Sequence, residues 1–152
     1  TLQRNFQGYS TFADCDLIGL GSSSIGKVGD TYSQSVKELS QYYARIDQGL
    51  LPVHRGYRLN ADDQLRRDVI SDLMCHGRVD FASIEARHNI RFKEYFSDAL
   101  AKLDEHVADQ LVAITDDALL LLPQGQLMMR SVAMAFDAYI GAAQKGNFSR
   151  TV

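Results

Sequence analysis

The stretch from Phe6 to Gly26, FQGYSTFADCDLIGLGSSSIG, constrains the fold of this chain more than any other. Asp16-Leu17-Ile18-Gly19-Leu20 reads as a buried strand, and the Gly- and Ser-rich segment behind it as the turn at its end. Small residues in such a place let the backbone approach a ligand closely. The strand follows a short lead-in at the very start of a chain with no initial methionine. A ligand-facing strand with nothing before it is expected to be a piece of a larger protein.

Beyond that stretch the apolar residues recur with helical spacing. Val36, Leu39, Tyr43 and Ile46 share one face, and Gly49 is placed as a C-terminal cap with Pro52 just beyond, which marks a boundary between residues 1–50 and 51–152. The second part opens on GYRLNADD, where Asn60 reads as an N-cap and Asp62 and Asp63 occupy the first turn, where the helix dipole favours negative charge. The apolar face of that helix is Leu65, Val69 and Leu73, widened by Ile70 and Met74. Gly77 and Asp80 end it and cap a short helix carrying Phe81 and Ile84. A longer helix is expected to bear Phe92, Tyr95, Phe96, Leu100, Leu103 and Val107. LVAIT and ALLLL, joined by Asp116-Asp117, predict a β-hairpin. A last helix after Pro123 and Gly125 presents Leu127, Met134, Phe136, Tyr139 and Ile140. Three helices, a hairpin and a further helix is the order of a winged-helix-like module. The fold class is therefore α+β, mainly α.

The totals narrow the function classes. Net charge is −3, with 45% hydrophobic and 23% charged residues, which is globular and argues against a nucleic-acid or anionic-membrane binder with a basic face. The pair Arg66-Arg67 is flanked by Asp62, Asp63 and Asp68 and is expected on a solvated mixed face. No apolar run approaches the ~18 residues that span a bilayer. Cys15 and Cys75 show no framework pattern and read as reduced thiols of a cytosolic protein.

Taken singly, no motif carries chemistry. The glycines at 19, 21, 26 and 29 do not follow GxGxxG, and no GK[ST] is present, so ordinary turn chemistry is favoured over a phosphate cradle. Ser22-Ser23-Ser24 either donate to a polar ligand or solvate a loop. The histidines at 54, 76, 88 and 106 lack metal-ligand spacing with the cysteines, so no metal ligands and no catalytic residues are assigned. The segment DFASIEARH, placed where a recognition helix would be, sets Asp80 and Glu85 against Arg87, a poor partner for phosphate.

Several stretches together resemble one family. RNFQGYST (4–11), DCDLIGLG (14–21), SIG (24–26), RGYRLNADDQLRRDVISDLMC (55–75), RVDF (78–81) and AMAFDAYI (133–140) are similar to the oxygen-independent coproporphyrinogen III oxidases of the radical S-adenosylmethionine class, in that family's order. Phe12, Ser22 and Gln126 depart from its usual pattern.

The resemblance implies that residues 1–50 are the last strand and helix edge of a partial (β/α) radical-SAM barrel, and 51–152 a winged-helix-like C-terminal domain. It implies that the full-length enzyme carries a 4Fe-4S cluster and S-adenosyl-L-methionine and oxidatively decarboxylates two propionates of coproporphyrinogen III to vinyl groups. Phe6, Gln7 and Ile25 match positions lining the S-adenosylmethionine pocket. The chain has no CxxxCxxC, so the part alone is expected to be inactive and without bound cofactor; its charge, cysteines and hydropathy make it an expected cytoplasmic protein that binds neither nucleic acid nor membrane. Its uncovered barrel edge is expected to be rearranged, packed on the helical part, or covered by another copy. Two alternatives stand beside this: a haem-trafficking relative, and a free winged-helix module binding nucleic acid or protein.

Overall fold

In the computed structural model of the protein, residues 2–5, 8–12 and 15–140 are described. The fold is α+β, and it divides into two compact units, Thr1–Leu65 and Arg66–Val152.

The first unit is built on antiparallel pairing. Strands β1 (Gln3–Asn5) and β2 (Gly8–Ser10) form one pair. Strands β3 (Ile25–Val28), β4 (Thr31–Ser35) and β5 (Val53–Arg58) form a sheet in that order. Gly29-Asp30 makes the two-residue loop between β3 and β4, with Gly29 at φ +56 and its N–H donating to Asp16 Oδ1 at 2.8 Å. Helix α1 (Leu39–Asp47) ends as expected at a glycine cap. Gly49, at φ +70, donates to the Ile46 carbonyl and Leu50 to that of Arg45, a Schellman pair.

The expected buried strand at 16–20 is corrected. Only Leu17 pairs, in a single antiparallel bridge with Lys27, and Ile18 and Leu20 are 68% and 86% exposed. A strand is buried on both faces only when neighbours cover them, and among the described residues only β3 runs alongside. The glycines explain themselves by this contact. A Cβ on Gly19 would lie 2.8 Å from the Ile25 carbonyl oxygen, and one on Gly26 2.9 Å from that of Leu17. They admit a second backbone.

The second unit holds the larger core. Helix α2 (Ala61–His76), whose first turn belongs to the first unit, buries Leu65, Val69 and Leu73 on the expected face. Gly77 (φ +65) ends it, strand β6 (Arg78–Asp80) follows, and Asp80 caps helix α3 (Phe81–His88) by accepting from Ser83 N–H at 2.9 Å. The hairpin appears as read: β7 (Val112–Ile114) pairs with β8 (Ala118–Leu121), and β6 joins on the far side of β8.

Two helices differ from expectation. The long helix over 92–107 is broken into α4 (Phe92–Tyr95), α5 (Ser97–Ala101) and α6 (Asp104–Ala108). Phe96, at the first break, has left helical geometry (φ −103, ψ 22) and is buried against Phe92 and Phe136, with ring centroids 4.9 and 5.4 Å away. The last helix is a 3-10 segment (Pro123–Met128) followed by the short α7 (Met129–Met134). Of its expected apolar face only Phe136 is buried, while Leu127, Met134, Tyr139 and Ile140 are exposed. Arg66, expected in solvent, instead lies 5.5 Å over the Phe96 ring and donates to the Phe136 carbonyl at 3.0 Å.

Candidate functional site: one face of the β3–β4–β5 sheet

Of the three residues matched to a cofactor pocket, Ile25 opens β3 and is half-buried. Phe6 and Gln7 lie outside the described residues.

Strand alternation and register define what surrounds Ile25. Its cross-strand partner on β4 is Gln34, and the partner of Gln34 on β5 is Arg55. Directly paired residues project to the same face, so the three side chains form a row across the sheet. Lys27, Tyr32 and Tyr57 form the next row on that face. The Tyr57 hydroxyl donates to Asp63 Oδ2 at 2.9 Å, anchoring this row to the start of α2.

The row is fixed by hydrogen bonds. Arg55 Nε donates to Gln34 Oε1 at 2.8 Å, and Gln34 Nε2 donates to the Ser23 carbonyl at 3.4 Å. Between Gln34 and Ser35 the pairing slips by one residue, so His54 is an extra residue on β5 immediately before Arg55. Such bulges bend the strand and re-aim the neighbouring side chain.

The serine turn is engaged with the protein itself. Ser24 Oγ donates to the Gly21 carbonyl at 2.7 Å and lies 3.1 Å from Ser35 Oγ, and Gly21 N–H donates to the Tyr42 hydroxyl at 3.2 Å. Ser24, read as a ligand donor or a loop-solvating residue, instead bonds within the turn.

The other residues singled out are dispersed. His88 Nε2 is 3.0 Å from Asp68, His76 Nδ1 3.8 Å from Asp72, and His106 Nε2 3.1 Å from Ser131 Oγ. Cys15 is exposed and Cys75 half-buried, both as free thiols. Among the described residues no group of three or more His, Cys, Asp or Glu side chains lies close enough to hold a metal ion. No helix among them is long and apolar enough to cross a membrane. In the segment DFASIEARH, Arg87 contacts Asp72 at 2.8 Å and Asp68 at 3.5 Å, and Glu85 accepts from Phe92 N–H at 2.7 Å.

Periodicity did not single out Gln34 or Arg55. The signal that could have found Gln34 is the Gly29-Asp30 pair between alternating residues, a two-residue hairpin signature, whereas no local signal marks Arg55. It pairs Ile25 with Gln34.

Comparison with known proteins agrees along the chain. Residues 59–128 match the HemN C-terminal domain. The chain is 40% identical to the oxygen-independent coproporphyrinogen III oxidase of Pseudomonas aeruginosa, over 100% of this chain and 33% of that protein. It is 41% identical to the enzyme of the same name from Escherichia coli, over 99% of this chain and 33% of the relative. A solved structure, described as coproporphyrinogen III oxidase (HemN) from Escherichia coli, a radical SAM enzyme, superposes with a TM-score of 0.88 at 41% identity, over 91% of this chain and 32% of that one. The chain thus spans about a third of the length of these relatives. Residues 59–128 belong to the HemN C-terminal domain family, and the chain is similar along its whole length to oxygen-independent coproporphyrinogen III oxidases.

Proposed function

We propose that this chain is the C-terminal part of a cytoplasmic oxygen-independent coproporphyrinogen III oxidase, a radical S-adenosylmethionine enzyme of haem biosynthesis that oxidatively decarboxylates two propionates to vinyl groups. The observation that carries the reading is similarity at 40% identity over the entire chain, joined to a TM-score of 0.88 at 41% identity. In this reading residues 1–50 complete the edge of a partial (β/α) barrel, and residues 51–152 are the winged-helix-like domain. The outward-facing Ile18 and Leu20 support it, because apolar side chains at that exposure lack the cover that further barrel strands would provide.

The cofactors divide differently between this chain and the rest of the enzyme. The described residues bring together no set of ligands for a 4Fe-4S cluster, which in this reading is held by another part of the full-length enzyme. S-adenosylmethionine supplies radical chemistry when bound, and the residues near Ile25 suit one wall of its pocket. The half-buried Ile25 offers apolar surface to adenine or ribose, and Phe6 and Gln7 are assigned as its companions, an aromatic face and a directional amide.

The test compares two anaerobic preparations: the full-length enzyme containing this chain, with its cluster reconstituted, and the chain alone. The full-length enzyme is expected to cleave S-adenosylmethionine and convert coproporphyrinogen III, and the chain alone to do neither. A full-length protein that binds haem tightly without decarboxylating, or turnover by the isolated chain, contradicts the reading.

A further inference from the structure

We propose that Arg55 is a carboxylate-recognition residue in the pocket that Ile25 lines. This deepens the functional reading above and rests on it.

The placement comes from the sheet. Ile25, Gln34 and Arg55 occupy one cross-strand row, so Arg55 sits two strands from Ile25, about 10 Å at the usual strand spacing. The bulge at His54 immediately precedes it and turns its side chain locally. Gln34 holds the guanidinium by Nε, and is itself tied to the Ser23 carbonyl in the turn that leads into β3. A long exposed side chain is thus oriented by a chain of hydrogen bonds that begins two residues from Ile25.

What this arrangement leaves is the terminal fork. With Nε engaged, the two Nη groups remain, and among the described residues no carboxylate pairs with Arg55. Several other arginines of this chain are paired with acids. Arg58, on the opposite face of β5, meets Asp30 at 2.9 Å, and Arg87 meets Asp72 and Asp68. In a chain of net charge −3, an oriented cation without an acid is not part of a general basic surface. Lys27, one row along on the same face, adds to the local positive charge.

A planar fork held at Nε suits a planar anion, and carboxylate is the group it fits with two parallel N–H donors. Pre-orientation by Gln34 lowers the entropy lost on binding. Two ligands of the proposed reaction carry carboxylates: the methionyl end of S-adenosylmethionine and the propionates of the porphyrinogen.

The experiment measures equilibrium binding to the full-length enzyme, wild type and the variants Arg55→Gln and Arg55→Lys, for S-adenosylmethionine, coproporphyrin III and its tetramethyl ester. Arg55→Gln is expected to weaken a carboxylate ligand about tenfold or more, the scale of a charge-assisted hydrogen bond, with Arg55→Lys in between. Loss confined to S-adenosylmethionine assigns the methionyl carboxylate. Loss confined to coproporphyrin III, with the ester bound equally by both proteins, assigns a propionate. Arg55→Gln and wild type binding both carboxylate ligands with equal affinity overturns the proposal and leaves the functional reading standing. A wild-type enzyme that binds neither ligand overturns the reading itself.

Discussion

Asn60 and Asp63 cap one another across the first turn of α2. The Asp63 N–H donates to Asn60 Oδ1 at 2.9 Å, and the Asn60 N–H donates to Asp63 Oδ2 at 3.0 Å. Two of the donors that every helix start leaves without an intrahelical partner are satisfied together. Asp63 also accepts from the Tyr57 hydroxyl, so the cap ties β5 to the helix within the first unit. Asn60→Ala is expected to cost about 1 kcal/mol in urea denaturation. Asp63→Ala is expected to cost more, because Asp63 is buried and its loss strands two donors. Equal effects of the two substitutions would show that the Tyr57 bond contributes nothing.

The phenylalanines of the second unit make a continuous ring cluster. Phe81 stacks on Phe92 at 4.3 Å, Phe92 contacts Phe96 at 4.9 Å, and Phe96 meets Phe136 edge-on at 5.4 Å. Phe136→Ala should cost about 3–5 kcal/mol, since a fully buried ring is lost and the cavity is walled by other rings. Leu127, 95% exposed, is the internal comparison, and Leu127→Ala should change stability by less than about 0.5 kcal/mol. Thermal unfolding of both variants checks the contrast. A large cost at Leu127 would mean that it packs in the assembled protein.

The features legible in the sequence are those whose cause is local. Asn60, Asp80, Gly49 and the 112–121 hairpin each need only a few neighbouring residues to specify a cap or a turn, and each stands where read. The sheet was not legible because β5 joins β4 only after the intervening helix α1, and that pairing is non-local. Residue type also overstated burial. Ile18, Leu20, Leu127 and Ile140 are apolar and exposed, because periodicity marks a face without saying what covers it. The same gap hid the candidate site. Ile25 was reachable through family resemblance, but Gln34 and Arg55 come beside it only through register and a bulge.

Glycines of this chain should differ sharply in their tolerance of a methyl group. A Cβ on Gly125 would overlap the Leu111 carbonyl oxygen, which also accepts from the Leu122 N–H and is held in place by it. A Cβ on Gly56 would only touch the Tyr32 carbonyl oxygen, at 3.4 Å. Gly125→Ala is therefore expected to destabilise by more than about 1 kcal/mol through forced backbone movement, and Gly56→Ala to be close to neutral. Comparable denaturation midpoints for the two variants would contradict the close approach at Leu111.

The tip of the 112–121 hairpin should respond to acid through Asp117. The Thr115 hydroxyl contacts Asp117 Oδ1 at 2.6 Å, and the same Thr115 oxygen accepts from the Ala118 N–H at 3.0 Å. The hydrogen bond from Thr115, then one from the backbone, hold the Asp117 carboxyl below its ordinary value of 3.8, with Arg78 and Lys93 adding attraction. A carboxyl lowered in the folded state stabilises it when ionised, so the contribution is present above the ordinary value. It is lost as pH falls through the lowered one. Wild type should exceed Asp117→Asn in Tm at pH 7, and the gap should narrow as pH drops below about 4. The comparison cancels the other carboxylates, which titrate in both proteins. A gap unchanged down to pH 2 would mean that the charge of Asp117 does not contribute and that only its shape at the turn matters.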